Sequence, residues 1–329
     1  MPEIRYIKLG EGGKYAKDCL LGDRNSPEAS CIRLGYRTPN HPQIHELCLK
    51  GDEESWARVQ EHWKMVRLAE GANPRAVAGV ARRDRNQICD FYSLPRETIW
   101  FTFYRGLLWW CNVEADVEVL EDHTRIRKTT IQGWRSTDPG GVPLRIESLD
   151  GRLTQKAFFK GTICGIGDRH DYLLRKIKGE QEPEVVDAKT TLATLHHHVN
   201  NLIRGLWWHD FETLVDLIFA RAGWQRISVL GKNEEGYDMI LASPVNARRV
   251  LVQVKSKATI DDLTEYLEFF GCAERDGVKN YDEMYFVVHT PDKRLLSHQQ
   301  GNVYVVGPDR LAELCINSGL VQWLIDKRS

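Results

Sequence analysis

The hydrophobic pattern of the chain changes about halfway along it, and this change constrains the fold more than any other feature. Before residue 168, short alternating segments rich in β-branched and aromatic residues predict strands. After residue 195, such segments alternate with amphipathic helical patterns. The polar segment between them contains Gly-Glu-Gln-Glu-Pro, which indicates a turn or linker. A chain of 329 residues has room for two domains of ~100–200 residues each. We therefore predict domains at 1–167 and 196–329, joined by a linker at 168–195.

The first half is predicted to be a β-barrel-like domain with a few peripheral helices. Its predicted strands are RYIKLG, ASCIRLGY, TIWFTFYRGLLWWCNV, VEVLEDHTRIRKT and LRIES. Apolar residues at spacings of three and four predict a helix over 53–68. Asn73-Pro74 indicates the start of a second helix, with Asn73 as its N-cap.

The second half is predicted to be a mixed α/β domain with the order α-β-β-β-α-β-β-α. Helices are predicted at about 206–222, at 261–273 with Asp261 as N-cap, and over DRLAELCI. The predicted strands are QRISVL, YDMILAS, RVLVQVK, YFVVHT and NVYVVG. The fold class that follows for the whole chain is α+β with two domains.

Composition excludes several classes of protein. No apolar stretch reaches the ~20 residues needed to cross a bilayer, and the first residues lack the basic and apolar regions of a signal peptide. We therefore expect a cytoplasmic protein with no membrane partner and with reduced cysteines. None of the eight cysteines forms a CxxC pair, which argues against a zinc ribbon. The net charge of −1 argues against polyanion binding through overall charge, but a local basic face remains compatible with it.

Four polar residues of the second half form a chemically suggestive set. Period-two alternation places Gln253 and Lys255 on one face of a strand. If YDMILAS pairs beside that strand, Asp238 lies at the same end of the sheet, and Glu212 is on the preceding helix. Asp238 and the Gln253 side-chain oxygen can provide the oxygen ligands that Mg²⁺ (or Mn²⁺) prefers. Such a metal assists phosphodiester hydrolysis, and Lys255 would hold the attacking water or stabilise the transition state.

These residues lie in segments that resemble a known nuclease family. FETLVDLIFARAGW, GYDMILAS, VLVQVKS and NVYVVGPDRLAELC are similar to the catalytic domain of Mrr-type restriction endonucleases, over roughly residues 205–320. That family belongs to the PD-(D/E)xK superfamily, in a branch where Gln replaces the middle acid. The resemblance implies a restriction-endonuclease-like fold and assigns the catalytic set to Glu212, Asp238, Gln253 and Lys255. Gly223-Trp224 and Gly236 also match positions typical of the family.

The first half carries six of the ten tryptophans, which suggests an aromatic pocket for an extruded base. The candidates for such a pocket are Trp100, Tyr104, Trp109, Trp110 and Trp134. YIKLGEGGKYAKDCL, IRLGY and WFTFYRGLLWW faintly resemble PUA-superfamily modules of the EVE and ASCH type, which include readers of modified bases. Core packing is the other interpretation of these aromatic residues.

Two basic clusters are candidates for contacts with the DNA backbone. They are Arg82, Arg83 and Arg85, and Arg125, Arg127 and Lys128. A solvated surface is the commoner explanation for either cluster.

The function that these features predict is a modification-dependent DNA endonuclease of the type IV restriction class. Its partner is double-stranded DNA carrying a modified base, and cutting both strands with one site per chain predicts a homodimer on DNA. Three alternatives stay open at this point. They are a nuclease that acts on RNA, a nucleic-acid-binding protein with an inactive nuclease-like domain, and a nuclease activated by a small nucleotide signal.

Overall fold

The chain forms two compact units, Met1–Gln181 and Glu182–Ser329. The computed structural model describes residues 2–22, 29–36, 42–228, 237–272, 274–275, 278–279, 281–298 and 301–329. The boundary between the units falls inside the segment predicted as a linker, but most of that segment is helical. One helix occupies His170–Lys178 and the next begins at Pro183. Its polar composition reflects exposed helix faces, since residues 184–194 are exposed.

The strands of the first unit form two separate sheets. They are β1 (Ile4–Ile7), β2 (Cys31–Leu34), β3 (Ile99–Tyr104), β4 (Leu107–Cys111), β5 (Glu118–Val119), β6 (Arg125–Lys128) and β7 (Ile163–Gly165). A four-stranded sheet has the order β4-β3-β1-β7, with β1 parallel to β3 and its other pairs antiparallel. A three-stranded antiparallel sheet has the order β2-β6-β5. In residues 2–22, 29–36 and 42–181 these sheets do not close into a barrel, so the predicted barrel-like architecture is wrong there.

Helices make up more of the first unit than its sequence pattern suggested. They are α1 (Ala16–Leu21), α2 (Pro42–Lys50), α3 (Glu53–Ala69), α4 (Val77–Ser93), α5 (Gly151–Thr154) and α6 (His170–Lys178). The helix predicted at 53–68 is α3, and Asp52 caps it by accepting a hydrogen bond from the Ser55 backbone. Asn73 is not an N-cap: it holds a turn that precedes α4 by accepting from the Arg75 backbone. LRIES contributes a single bridge at Arg145 and a 3-10 turn over Ile146–Ser148, not the predicted strand.

The four-stranded sheet of the first unit is buried on both faces, which explains its aromatic content. Successive residues of β3 enter different clusters. Trp100 packs beside Phe91 in one cluster, and Phe101 packs against Tyr6 in the other. The high density of Trp and Phe on this strand therefore serves both cores.

The second unit is a mixed α/β domain. Its helices are α7 (Pro183–Arg204), α8 (Trp208–Arg221), α9 (Ile260–Cys272), α10 (Lys293–Leu296), α11 (Pro308–Asn317) and α12 (Val321–Arg328). Its strands are β8 (Gln225–Arg226), β9 (Met239–Ala242), β10 (Arg249–Ala258), β11 (Glu274–Arg275), β12 (Val278–Lys279), β13 (Glu283–Pro291) and β14 (Val303–Val306). The predicted element order is present within this longer succession. Residues 229–230 of the predicted strand QRISVL, and Gly236, lie outside the described residues.

The main sheet of the second unit has the order β14-β13-β10-β9-β8. β10 is parallel to β13 and antiparallel to β9. Along β10, Val252 and Val254 pack in the cluster that includes α7 and α8, whereas Leu251 packs in the cluster that includes α9. Gln253 and Lys255 lie two and four residues after Leu251 and therefore on the same face of the strand, as predicted.

The N-cap of α9 lies two residues before the predicted one. Thr259, not Asp261, occupies the capping position. Its backbone N–H and its hydroxyl both donate to Asp262 Oδ2, at 2.7 and 2.8 Å. The Asp262 backbone N–H donates back to the Thr259 hydroxyl at 3.4 Å, so the two residues form a capping box. Within the described ranges, no helix combines the length and the apolar character that crossing a membrane requires.

Candidate active site

Asp238 and Gln253 are brought together by the pairing of β9 with β10. The register places Met239 opposite Val252, so Asp238, one residue before β9, lies beside Gln253. Oδ2 of Asp238 accepts a hydrogen bond of 2.7 Å from Nε2 of Gln253 and another of 2.7 Å from the backbone N–H of Val254. The structure thus joins the acid and the amide that the sequence pattern had only placed at the same end of a sheet.

The helix α8 places Glu212 in the same region of the unit. Its carboxylate is close enough for the charge of Asp238 to raise its pKa, and Nδ1 of His209 lies 3.5 Å from its Oε2. Arg226, on β8, contacts residues on both sides of the candidate site. It donates to the main-chain oxygen of Asp238 at 3.1 Å and lies 3.7 Å from the Asp216 carboxylate on α8. Sequence reasoning assigned Arg226 no role, because its importance depends on the pairing of β8 with β9.

Lys255 lies on the same face of β10 as Gln253 and contacts Tyr266 on α9. Its ammonium is 5.3 Å from the centre of the Tyr266 ring. A hydrogen bond with Tyr266 raises the pKa of Lys255, and Asp238 and Asp262 raise it further against the opposing effect of burial. The lysine is therefore held as a cation. Tyr266 was not singled out from the sequence, where it reads as one apolar position of a helix.

Burial shapes the charges of both carboxylates. It raises the pKa of Asp238, and the Val254 N–H, Lys255 and Arg226 counteract that rise. Burial also raises the pKa of Glu212, and the nearby Asp238 adds to the rise. Carboxyl groups whose pKa burial raises gain from a nearby cation.

The residues present fit a divalent cation with oxygen ligands. Oε1 of Gln253 is buried and accepts no hydrogen bond, although the other side of its amide is tied to Asp238. A buried acceptor without a donor is costly unless another partner completes it. In the part of the chain that the structure describes, no three His, Cys, Asp or Glu side chains are grouped to hold a metal, since one oxygen donor of this set is an amide.

Two members of the predicted aromatic pocket are core residues. Trp100 is fully buried against Phe91. Trp110 is buried in the second cluster of the first unit, with the Arg135 guanidinium 3.5 Å above its ring. Their assignment to a base pocket is wrong, because β3 and β4 belong to a sheet that is covered on both faces.

The other three predicted pocket residues, Tyr104, Trp109 and Trp134, are half-buried and pack against the sheets of this unit. The indole N–H of Trp109 donates to the main-chain oxygen of Tyr104. The indole N–H of Trp134 donates to the main-chain oxygen of Cys31, and its ring packs on the first core cluster. None of the three is among the residues that line the cavity formed by Lys8, Tyr15 and Tyr36 in this unit. They are half-buried residues that stabilise the sheets.

The second basic cluster is mostly structural. Arg127 is 1% exposed and donates to the main-chain oxygens of Glu114, Phe91 and Leu94. Burial lowers its pKa to about 10. Arg125 is also buried and donates to the Tyr36 main-chain oxygen and to the Tyr92 hydroxyl. The assignment of these two arginines to the DNA backbone is therefore wrong.

The remaining basic residues keep some access to solvent. Lys128 is half-buried and donates to the main-chain oxygen of Ala29 at 3.4 Å. Arg82 and Arg83 are exposed on α4, and Arg85 is half-buried. Of the six residues predicted to contact the DNA backbone, only Arg82 and Arg83 are exposed.

A cavity of about 470 Å³ in the first unit was not anticipated from the sequence. Five separate segments meet there: 8–15, the pair Gly35-Tyr36, one residue of α3, one residue of α4, and 160–162. Of these, the opening segment and the IRLGY segment had been noted for their resemblance to base-reading modules. The convergence with α3 and α4 depends on tertiary packing.

Comparison with known proteins identifies the second unit. Residues 203–288 match the model of a restriction endonuclease family, the Mrr catalytic domain. No curated protein matches the chain. Among solved structures, the chain is similar to the DNA modification-dependent restriction endonuclease AspBHI, with 10% identity and a TM-score of 0.31, over 91% of this chain and 80% of that chain. The matched range 203–288 contains all four residues of the candidate site. On the family match, the second unit contains a restriction endonuclease domain, and the chain is an endonuclease that hydrolyses phosphodiester bonds of DNA.

Proposed function

We propose that this chain is a modification-dependent DNA endonuclease whose second unit cuts and whose first unit recognises a modified base. The single observation that carries the cutting site is the pairing of Asp238 with Gln253. In this pairing the side-chain oxygen of Gln253 is buried and has no donor. Lys255, two residues further along β10, is held as a cation. This arrangement lies inside the restriction endonuclease domain.

The roles of the residues follow from their charges. Asp238 and the Gln253 oxygen would hold Mg²⁺ or Mn²⁺, and Glu212 would reach the same cation through water. A bound divalent cation supplies charge neutralisation at the scissile phosphate and lowers the pKa of water. Lys255 donates from its ammonium to the attacking water or to the phosphoryl oxygens that gain charge in the transition state. The hydrogen bond with Tyr266 keeps that donor positioned and protonated.

Recognition of a modified base is assigned to the first unit because it is a separate compact unit in the same chain as a nuclease domain that needs a source of specificity. Each chain has one candidate cutting set, so cleavage of both strands requires two copies on the DNA. The net charge of −1 leaves little general attraction to DNA. Affinity would then depend on local cations and a specific pocket, which suits an enzyme that must spare unmodified DNA.

The decisive variant is Lys255→Ala. We expect it to lower the rate of DNA cleavage by ~100-fold or more, because it removes a donor to the transition state, while DNA binding is kept. Lys257→Ala is the matched control: Lys257 is exposed on the same strand, and its loss should leave the cleavage rate within a few-fold. Full cleavage by Lys255→Ala would refute the assignment of the site.

The substrate class is tested by digestion of DNAs with different cytosine and adenine modifications, beside unmodified DNA and structured RNA. Cleavage that depends on the modification supports the proposal. Cleavage of RNA alone would replace it with an RNA-directed nuclease. Calorimetric titration with Mg²⁺ and Mn²⁺ distinguishes the inactive alternative, in which neither metal binds with or without DNA.

A further inference from the structure

The cavity of about 470 Å³ in the first unit has the size of a small-molecule site, for which ~300–1,000 Å³ is typical. Its lining is polar and rich in cations. It is lined by Lys8, Lys14, Arg67 and Lys160, against the carboxylates of Glu11 and Asp84. Lys14 and Lys160 are exposed, so an anion can approach both side chains from solvent. The Lys14 ammonium lies 4.9 Å from the centre of the Tyr15 ring.

Two tyrosines provide aromatic surface in this cavity. Tyr15 is buried, and the Arg33 guanidinium lies 4.0 Å from the centre of its ring. Tyr36 is held edge-on against Trp63, with 5.1 Å between ring centres. The buried Arg125 also donates to the main-chain oxygen of Tyr36. Both rings are thus fixed in place before a ligand arrives, which lowers the entropic cost of binding one.

The glycines of the lining keep the cavity open. Gly10 has a φ of +80°, and a Cβ there would lie 2.6 Å from the Tyr15 ring. A Cβ at Gly35 would be 3.7 Å from the same ring. Side chains at these positions would displace Tyr15 or fill the space beside it.

The polar end of the cavity contains an anchored carboxylate. Asp84 is 5% exposed, and its two oxygens accept from the Tyr36 hydroxyl at 2.9 Å and from Nε of Arg67 at 2.7 Å. Burial, followed by the charge of Asp84, raises the pKa of Tyr36, so the phenol remains a neutral donor. A carboxylate in a fixed position is an acceptor for the exocyclic amino group of cytosine.

We propose that this cavity is a nucleotide site that takes a base with an exocyclic amino group, cytosine or adenine, together with its phosphate. Tyr15 and Tyr36 contact the ring, Asp84 accepts from the amino group, and Lys14 and Lys160 contact phosphate. In the setting of the proposed function, on which this assignment rests, the ligand is a base extruded from modified DNA. The same chemistry would accept a free nucleotide, and the experiment below separates the two sources.

The test measures binding by the full chain, without divalent cations, so that cleavage is not needed. The probes are short duplexes with one 5-methylcytosine, 5-hydroxymethylcytosine or N6-methyladenine, the unmodified duplex, and deoxycytidine and deoxyadenosine monophosphates. Because the base that enters the cavity is the one extruded from the modified duplex, Asp84→Asn should weaken binding of that duplex by roughly tenfold or more and so lower its preference over the unmodified one. Asp90→Asn is the matched control, since Asp90 lies on the same helix and also pairs with an arginine, Arg5 at 3.0 Å, away from the cavity.

Lys160→Gln provides a second variant on an exposed side chain, where folding is not in question. It should weaken binding of modified and unmodified duplexes alike and lower the salt dependence by about one phosphate contact. If Asp84→Asn loses its cooperative thermal transition, Lys160→Gln alone decides. An unchanged salt dependence in that variant would overturn the proposal.

The remaining outcomes separate the two proposals. Retained preference in Asp84→Asn overturns the cavity assignment and leaves the endonuclease standing. The wild-type chain could bind the free nucleotides without any preference among the duplexes, and Asp84→Asn could lose that nucleotide binding. This result supports the cavity assignment but overturns dependence on modification. Binding of neither probe class by the wild-type chain overturns the cavity assignment.

Discussion

Gln253→Glu tests the geometry of the candidate active site without relying on activity. In the wild-type chain, Nε2 of Gln253 donates to Oδ2 of Asp238 at 2.7 Å, and Gln253 is 5% exposed. Glutamate has nearly the same shape but no donor. The substitution therefore removes the hydrogen bond and places a second carboxylate beside one whose pKa burial already raises.

The magnitude follows from these contacts. A hydrogen bond to a charged group contributes about 1.5–3 kcal/mol, and two facing carboxylates in a partly buried site repel each other. We expect the free energy of unfolding to fall by about 2–3 kcal/mol at neutral pH without metal. The reason is that the two carboxylates must either bind a proton or face each other without a hydrogen bond. For a unit of this size, that loss lowers Tm by roughly 4–12 °C.

The effect has a definite pH dependence. Facing Asp238 raises the folded-state pKa of the new carboxyl above its unfolded value of about 4.3. Below the unfolded pKa the carboxyl is protonated in both states and can donate to Asp238, so the variant loses little stability. As pH rises through the raised folded pKa, the loss grows to its full size.

The assay is thermal unfolding across pH, with and without Mg²⁺. Because the variant has one more charged oxygen ligand, Mg²⁺ should raise its Tm more than that of the wild type. Gln87→Glu is the matched control: Gln87 is also buried, but its Oε1 accepts from the backbone N–H groups of Thr162 and Ile163. Mg²⁺ should not alter the stability of that variant. The contact between Gln253 and Asp238 would be refuted if Gln253→Glu were as stable as the wild-type chain at neutral pH and if Mg²⁺ raised the Tm of both equally.

Two further predictions concern residues that the sequence alone did not assign correctly. Tyr266→Phe keeps the aromatic ring but removes the hydrogen bond that raises the pKa of Lys255, so the alkaline limb of the pH–rate profile should shift to lower pH; an unmoved limb would contradict this role. Arg127→Lys should lower the free energy of unfolding in urea by about 3 kcal/mol, since a lysine ammonium cannot span the three main-chain oxygens that the planar guanidinium reaches and leaves buried acceptors without a donor. Arg82→Ala is the control at an exposed position of α4 and should change the free energy of unfolding by less than about 0.5 kcal/mol.

Local pattern predicted the elements of the second unit and the face that carries Gln253 and Lys255. Alternation along a strand is a property of the backbone, so it is readable without knowledge of the partner strand. The α/β order and the endonuclease domain also follow from the chain itself, and the family match confirms the latter. The contacts of Lys255 with Tyr266 and of Asp238 with Arg226 were not predictable, because each joins elements whose distance depends on packing.

In the first unit, residue type was a poor guide to role. Arginine and tryptophan are common in nucleic-acid sites, yet Arg127 and Trp100 are core residues here. Arg127 can be buried because loop and helix-end carbonyls converge on its guanidinium. Trp100 is buried because β3 is an inner strand with a core on each face.

The amino-acid sequence by itself determined that the chain has two parts of different pattern, that the second carries an acid, an amide and a lysine in nuclease order, and that no overall positive charge attracts DNA. Those properties depend on neighbours along the chain. Tertiary structure alone decided which aromatic and basic residues are accessible, and it assembled the cavity of Tyr36, Arg67 and Asp84 from segments far apart in sequence. Burial is a property of the packed whole, and no local spacing encodes it.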